Sequence, residues 1–305
     1  MNNYLATLKW GVGAEWDNQL LRLFLREHCQ ISKRALADIK FNGGLILLNE
    51  QEVTVRALIQ EGDVVTVCLP TEEASLSVSP EFIDLDIPYE DDHLLVINKR
   101  AGMPTIPSRE HPSGTLANAI LGYYEKVEHP ATFHAVNRLD KDTSGLLIIA
   151  KHRLAHDRLS NLQKEGKLKR YYTAIVGGCV KSNSGTIDEP IGRDTNSIIA
   201  RTVREDGKYA VTHYYVKSRS YDKTLVEIKL ETGRTHQIRV HFAFIGHPLL
   251  GDDLYGGSCE KLKRQALHCH QVEFQHPFDD KILTIHKELP ADMKSSLLIK
   301  KTKPD

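Results

Sequence analysis

The longest uninterrupted apolar block, Leu146–Ala150, constrains the fold of this chain more than any other feature. Because it has no polar face, it is predicted to be a strand covered on both sides by other parts of the protein. The segment before it, His134–Gly145, has the opposite character, since Arg138, Asp140 and charged neighbours lead into turn residues. A turn alone needs no such charges, so this segment is predicted to be either a solvated rim or a functional site beside the core.

Further strands and helices are predicted throughout residues 93–295. Apolar residues at helical spacing predict helices in Arg153–Gly166 and His236–Pro248. A mixed sheet with peripheral helices follows, so the predicted fold class is α+β. The predicted strands are His93–Lys99, Gly145–Lys151, Arg170–Gly178 and Thr224–Glu231.

A smaller α/β unit is predicted in residues 1–70. Two helices, the second with Ser32 as its N-cap, precede two short strands. This order resembles that of the S4 RNA-binding domain, and its RNA contacts would then be made by Lys33 and Arg34; the alternative is an appendage without a ligand. The predicted elements are helices at Asn18–Cys29 and Ser32–Gly43 and strands at Leu45–Asn49 and Asp63–Leu69.

Charge is distributed unevenly, although the formal net charge is zero. Residues 71–92 hold eight acidic and no basic residues, together with Pro80 and Pro88, which is typical of a linker. Residues 93–305 hold 33 basic and 24 acidic residues, an excess that suits a polyanionic partner. The predicted parts are a small domain at 1–70, an acidic linker at 71–92, a main domain at 93–295 and a basic tail at 296–305.

Cysteine content and hydropathy favour an intracellular protein. The five cysteines are an odd number without CxxC spacing, which predicts reduced thiols. No apolar run approaches the roughly 18 residues of a membrane span, and the N-terminus lacks a basic start followed by an apolar segment. We therefore expect a cytoplasmic protein without membrane contact.

Three charged clusters are candidates for chemistry. Asp140 precedes the buried strand, and Arg138 would favour its ionised form, although such a pair alone is more typical of a solvated loop. Arg234 lies where a helix is predicted to begin, a position that suits an anion such as phosphate. Lys169 and Arg170 adjoin two tyrosines, and basic residues beside an aromatic ring are typical of RNA binding.

Five segments form a series along the chain: VINKRAG (Val96–Gly102), NRLDKDTSGL (Asn137–Leu146), RYYTAIVGG (Arg170–Gly178), TGRTHQIRVH (Thr232–His241) and GDDLYGG (Gly251–Gly257). In this order they resemble the motifs of the RluA-type RNA pseudouridine synthases, and the match covers nearly the whole chain. Each segment alone is weak evidence, whereas the ordered series is specific. The departures are Asn137, where many members have His, and Arg100, where they have Pro; we expect them to affect substrate choice.

The resemblance implies a mixed, largely antiparallel catalytic sheet and an isomerase that converts uridine to pseudouridine in RNA. Asp140 would be the catalytic residue, Tyr172 would pack against the target base, and Arg234 would pair with Asp140. Arg138 would contact RNA and help displace the target nucleotide. The reaction neither oxidises nor hydrolyses its substrate, so neither a cofactor nor a metal is expected.

The implied partner is large-subunit ribosomal RNA, with transfer RNA as the alternative substrate. We expect the protein to act as a monomer. The sequence leaves open whether the carboxylate adds to the uracil ring or attacks the sugar.

Three other functions are compatible with parts of the sequence. The string DKDT (Asp140–Thr143) matches the DxDxT pattern of Mg²⁺-dependent aspartyl phosphatases, although their carboxylates follow the buried strand and do not precede it. A non-enzymatic RNA-binding protein of the same fold would be expected to have lost its catalytic residues. A metal site is the third alternative, although its spacing is not that of a zinc site. Its ligands would be His268, Cys269, His270 and His276.

Overall fold

The structure, a computed structural model, describes residues 4–73, 77–279 and 281–297. A four-stranded sheet forms near the N-terminus, and a ten-stranded sheet forms in the remainder of the chain. Within the described residues, no helix is long and apolar enough to cross a membrane. From residue 298 onward, the predicted basic tail lies outside the described residues.

The N-terminal unit combines short strands with two helices. Its strands are β1 (Tyr4–Gly11), β2 (Gln19–Leu20), β3 (Leu45–Leu48), β4 (Gln51–Glu52), β5 (Leu58–Ile59) and β6 (Val64–Pro70), and its helices are α1 (Leu21–Leu23) and α2 (Lys33–Phe41). The four-stranded sheet has the order β1-β6-β3-β4. The Ser32 hydroxyl caps α2 by accepting a hydrogen bond from the backbone N–H of Ala35, as predicted. The first predicted helix begins at Leu21, later than expected, and only α1 is α-helical, because the helix continues as a π-helical turn at Phe24–His28.

The main domain is built on the larger sheet. Its strands are β7 (Tyr89–Glu90), β8 (Leu94–Lys99), β9 (His134–Ala135), β10 (Ser144–Ala150), β11 (Lys169–Gly177), β12 (Ser184–Asp188), β15 (Val211–Arg219), β16 (Lys223–Leu230), β17 (Leu267–Gln275) and β18 (Ile282–His286). They have the order β12-β15-β16-β11-β17-β10-β8-β7, with β9 beside β10 and β18 beside β17. A separate hairpin is formed by β13 (Ile191–Arg193) and β14 (Arg201–Val203). The helices are α3 (Leu116–Lys126), α4 (Arg153–Lys164), α5 (Gln237–Phe244) and α6 (Ala291–Leu297).

Strand β10 lies in the interior of this sheet, as its composition predicts. Every residue of Leu146–Ala150 is fully inaccessible to solvent. The strand pairs antiparallel with β8 and parallel with the start of β17, and the other pairs in the sheet are antiparallel. The predicted mixed, largely antiparallel sheet is thereby confirmed.

The acidic segment between the two sheets packs against the main domain. The carboxylate of Glu72 binds the His134 imidazole at 2.5 Å and accepts the backbone N–H of Arg153 at 2.9 Å. At the other end of the segment, β7 joins the main sheet by pairing with β8. The segment therefore contributes a strand to the main domain, which the prediction placed only after residue 92.

Helix α4 fixes the N-terminal unit on the main domain. Its Arg153 guanidinium lies 3.3 Å from the Asp38 carboxylate of α2. One turn later, Arg158 donates to the backbone carbonyls of Cys29 and Pro277. Arg153 and Arg158 of α4 thus both bind the N-terminal unit, and Arg158 also binds Pro277 of the main domain.

Candidate active site

The charged loop at residues 136–143 connects β9 to the buried strand β10 and forms one wall of a cavity of about 430 Å³. Asp140 is half-buried in this wall, with its side chain 27% exposed. Among the described residues that line the cavity it is the only acidic one, and five lining residues are Arg or Lys. A single carboxylate in a cationic cavity suits an anionic substrate.

Two buried side chains hold the backbone on either side of Asp140. The Thr105 hydroxyl donates to the carbonyl of Leu139 at 2.8 Å, and the Lys99 ammonium donates to the carbonyl of Lys141 at 2.9 Å. Lys99 also donates to two other backbone carbonyls. These bonds fix the loop, because moving it would leave buried donors without acceptors.

Arg239, on the first turn of α5, forms the ion pair with Asp140. Its Nη1 lies 3.3 Å from Asp140 Oδ2, while its Nε and Nη2 form a bidentate pair with the buried Asp252 at 2.7 and 2.8 Å. Burial would lower the pKa of Arg239, but the hydrogen bonds and charge of Asp252, and then of Asp140, raise it above its usual value. The guanidinium is therefore a fixed positive charge behind the carboxylate.

The predicted pair between Arg234 and Asp140 is wrong. Arg234 precedes α5 and is exposed, and its Nε donates to the carbonyl of Tyr209 at 2.9 Å. Its backbone N–H donates to the Gln237 side chain instead of an external anion. The physical reason is the helix direction: Arg239 lies on the first turn of α5 and faces the loop, whereas Arg234 lies on the turn that leads into the helix.

His236 approaches Asp140 from a third direction. Its Nε2 lies 3.9 Å from Asp140 Oδ2, and its Nδ1 lies 2.8 Å from the Tyr255 hydroxyl. Its φ of +58° is in the left-handed region, an uncommon backbone conformation for a non-glycine residue and one enriched at functional sites. Burial lowers the pKa of His236, against the opposing effect of Asp140.

Tyr172 and Arg170 line the floor of the cavity from alternate positions of β11. Tyr172 is 4% exposed, and burial raises the pKa of its hydroxyl. Arg170 is 7% exposed, and its buried Nε has no hydrogen-bond partner among the described residues. Its guanidinium packs on Gly233, where an added Cβ would lie 3.0 Å from Arg170 Nη2. The cavity is therefore lined by an aromatic ring and by a guanidinium whose Nε has no partner among the described residues.

The other predicted RNA contacts lie in different places. Arg138 is exposed at the cavity wall. Lys169 faces away from the cavity and pairs with Glu273 at 2.6 Å. Lys33 and Arg34 are exposed on the first turn of α2, and Lys33 borders a second cavity, of about 750 Å³, between the N-terminal unit and α4.

The phosphatase and metal alternatives receive no support from the positions of their residues. Asp142, the second carboxylate of DKDT, is not among the residues lining the cavity. His268 contacts Ser144, His270 contacts Thr173, and the third histidine of that set contacts a carboxylate elsewhere. Within the described parts of the chain, no group of three or more His, Cys, Asp or Glu side chains is arranged to hold a metal ion.

Sequence reasoning missed Arg239, His236 and Asp252 as site residues. Arg239 could have been suggested from the sequence, because it lies within the predicted helix and the segment GDDLYGG contains aspartates that could pair with it. The left-handed backbone of His236 has no comparable signal in the sequence.

Comparisons with known proteins find matches to one family. Residues 93–244, which include loop 136–143, β11 and α5, match the family model described as RNA pseudouridylate synthase. Two solved human structures, RNA Pseudouridylate Synthase Domain Containing 1 and Domain Containing 4, each superpose with a TM-score of 0.57 at 25% identity. They cover 68% and 69% of this chain, and the matches span 84% and 91% of the human chains.

Curated relatives are similar over most of their length. An uncharacterised RNA pseudouridine synthase of Bacillus subtilis, YjbO, is 52% identical over 88% of this chain and 95% of its own. The ribosomal large subunit pseudouridine synthase D of Haemophilus ducreyi is 36% identical over 83% of this chain and 80% of its own. The chain therefore belongs to the RNA pseudouridine synthases of the RluA/RluD type, and it is an isomerase whose substrate is RNA.

Proposed function

We propose that this enzyme isomerises uridines of large-subunit ribosomal RNA, with Asp140 as its catalytic residue and without a cofactor. The observation that carries the proposal is the single carboxylate in the cationic cavity, held from behind by Arg239. A carboxylate held in a fixed position is already placed to act on a substrate that enters the cavity.

The reaction requires the C1′–N1 bond of a uridine to break, the uracil to turn, and a C1′–C5 bond to form. The hydrogen on C5 leaves as a proton and N1 takes up a proton, so the product is an isomer of the substrate and no electrons enter or leave it. Asp140 assists the cleavage and rejoining, and Tyr172 supports the detached ring.

The target base must leave its stack before it can reach this cavity, which costs about a few kcal/mol in a duplex and less in a loop. Arg138 is exposed at the cavity wall, and Arg170 lines the cavity with an Nε that has no partner among the described residues, so both are available to the displaced nucleotide and its phosphates. Residues 1–70 act as an S4-like RNA-binding domain in this proposal, with Lys33 and Arg34 contacting flanking RNA. Lys169, already paired with Glu273, contributes little.

The ribosomal substrate is supported by the relatives' names. Three of the curated relatives, at 36% identity, are named ribosomal large subunit pseudouridine synthase D. Transfer RNA is the other substrate that the experiment must include.

The test is release of tritium from RNA transcripts labelled at uridine C5, because isomerisation must expel that hydrogen. Native protein, Asp140→Asn and Lys169→Gln are compared in a chelator, on large-subunit ribosomal RNA and on transfer RNA. We expect release from ribosomal RNA by the native protein and Lys169→Gln, and none by Asp140→Asn. Equal release by Asp140→Asn would refute its catalytic role. Release from transfer RNA alone would replace the ribosomal substrate, and dependence on metal would refute the cofactor-free mechanism.

A further inference from the structure

The hairpin β13–β14 exposes two adjacent isoleucines at its tip. Ile198 is 94% exposed and Ile199 is 57% exposed. Exposed single apolar residues are common, but two adjacent ones on a projecting turn place a compact apolar tip in solvent. The residues lie in the turn at 194–200, outside both sheets that form the cores of the molecule.

The tip is held in one conformation by its own polar side chains. The Ser197 hydroxyl accepts the backbone N–H groups of Ile199 and Ala200, at 3.3 and 3.0 Å. The Asp194 carboxylate accepts the backbone N–H of Asn196 at 2.8 Å. The isoleucines are thus presented on an ordered turn, so less entropy is lost when they make a contact.

Two arginines lie directly behind the tip. Arg193 and Arg201 are cross-strand partners in the last pair of the hairpin, an arrangement in which like charges repel. Arg201 donates to two nearby carbonyls, and within the described residues neither guanidinium forms an ion pair with a carboxylate. A phosphate between them would relieve this repulsion.

The hairpin is anchored to the catalytic site. Ile191 at its root packs against Val240 of α5, the helix that carries Arg239. The backbone N–H of Arg201 donates to the Tyr255 hydroxyl at 2.9 Å, and that hydroxyl is bonded to His236. The chain from Arg201 back to Ile198 is three residues long and spans at most about 11 Å. The apolar tip therefore stays close to the cavity wall.

We propose that this hairpin is a wedge for the RNA substrate. Ile198 and Ile199 insert beside the target uridine and occupy the stacking space that it leaves, while Arg193 and Arg201 hold an adjacent phosphate. Apolar side chains inserted between base steps are an established way to keep nucleic acid unstacked. The proposal rests on the proposed function, since it describes how that reaction reaches a stacked base.

The test compares two synthetic RNAs that carry the uridine mapped by tritium release. In one the uridine is stacked in a helix, and in the other it lies in an unpaired strand. For the double variant Ile198→Ser/Ile199→Ser, we expect a single-turnover rate about tenfold lower on the stacked RNA and within about twofold of native on the unpaired RNA. The double variant with Leu at both positions keeps the apolar tip and should retain the native rate, as should Ile282→Ser, which alters an exposed isoleucine on β18.

A second readout reports unstacking without chemistry. With 2-aminopurine next to the target uridine, native protein should raise its fluorescence, and the Ser double variant should raise it less. The double variant Arg193→Ala/Arg201→Ala should reduce the magnitude of the slope of log affinity against log salt by about one, because the phosphate held between the two arginines is no longer neutralised.

Several results would overturn the wedge. If the Ser double variant lost the same factor in rate on stacked and on unpaired RNA, the cause would be a structural defect and not a lost wedge. A native rate for the Ser double variant on both RNAs would show that the isoleucines do not act on RNA. Sedimentation showing a native dimer that the Ser variant abolishes would assign the tip to a second copy of this chain. If the native protein releases no tritium from any RNA, the proposed function itself is refuted, and the wedge proposal that rests on it is refuted with it.

Discussion

The charges that line the candidate active-site cavity form two sets, a paired side that is buried and an unpaired side that is exposed. On one side, Asp140 faces Arg239, which is itself held by the buried Asp252. On the other side, Arg138 and Arg234 are exposed, and the described residues provide no carboxylate partner for either. Buried, paired charges keep a geometry fixed for chemistry, whereas exposed, unpaired cations attract a polyanion and adapt to it.

Substitutions in the two sets of charges should therefore have different effects on stability, catalysis and RNA binding. Removing a member of the paired side leaves a buried charge without its partner, so stability and catalysis both suffer. Removing a cation of the unpaired side leaves the fold intact and weakens only RNA binding.

The largest effect is expected at Arg239. In Arg239→Met, Asp252 stays buried without its guanidinium, so we expect the free energy of unfolding to fall by about 3–5 kcal/mol. Urea denaturation measures it. The matched control is Arg234→Met, which is exposed and should change stability by less than about 0.5 kcal/mol. Similar losses in the two variants would contradict the assignment of the buried pair to Arg239.

Lys99, which holds the loop that carries Asp140, should make the free energy of unfolding depend on pH. Burial lowers its pKa to about 7, whereas a lysine in an unfolded chain titrates near 10.4. Between these values the unfolded state binds more protons, so stability rises with pH. Relative to Lys99→Met, the native protein should gain about 3–5 kcal/mol of unfolding free energy from pH 7 to 10.5. A difference between the two proteins that stays flat over this range would show that Lys99 remains fully charged.

His236 should show a smaller effect, confined to catalysis. Tyr255 accepts the Arg201 N–H and can donate its own hydrogen to His236 Nδ1, which places the imidazole hydrogen on Nε2, toward Asp140. The Gln amide nitrogen can occupy the Nε2 position, so His236→Gln should stay near the native rate while His236→Asn should lose about 10–100-fold. Tritium release measures the rates of both variants. Equal rates would show that catalysis does not depend on a hydrogen-bond donor at the Nε2 position.

Variants of the neighbours Arg170 and Lys169 test a residue that lines the cavity against one on the opposite face of the same strand. Arg170→Gln should weaken RNA binding about tenfold, because it removes a cation that lines the cavity and is available to a phosphate of the RNA. Lys169→Gln should change affinity by less than about twofold, since its partner is Glu273. Filter binding of labelled ribosomal RNA distinguishes them. An equal loss in both would mean that RNA also contacts the outer face of β11.

Local features of the fold were predictable from sequence. The apolar block of β10 and the Ser32 cap depend only on residues close together in the chain. Strand β1 was not predicted, because its burial depends on pairing with β6, more than 50 residues away. Strand β7 was assigned to a linker for the same reason, since its acidic sequence conceals its pairing with β8.

The site was predictable as a set of segments but not as a set of contacts. Asp140, Tyr172, Arg138 and Arg170 all line one cavity. The choice between Arg234 and Arg239 could not be made from sequence, because it depends on which turn of α5 faces a loop about 100 residues earlier. The separation of Lys169 from Arg170 follows from strand alternation, but which face carries the cavity does not.

The most direct test of the account compares Arg239→Lys with Arg234→Lys in single-turnover tritium release, with both proteins shown to be folded. Both substitutions keep the positive charge, but lysine cannot bridge Asp140 and Asp252 as the guanidinium does. We predict that Arg239→Lys lowers the rate at least about 100-fold, while Arg234→Lys stays within about threefold of native. The reverse order would show that Arg234 holds the Asp140 carboxylate during the reaction, and would contradict the site described for this enzyme.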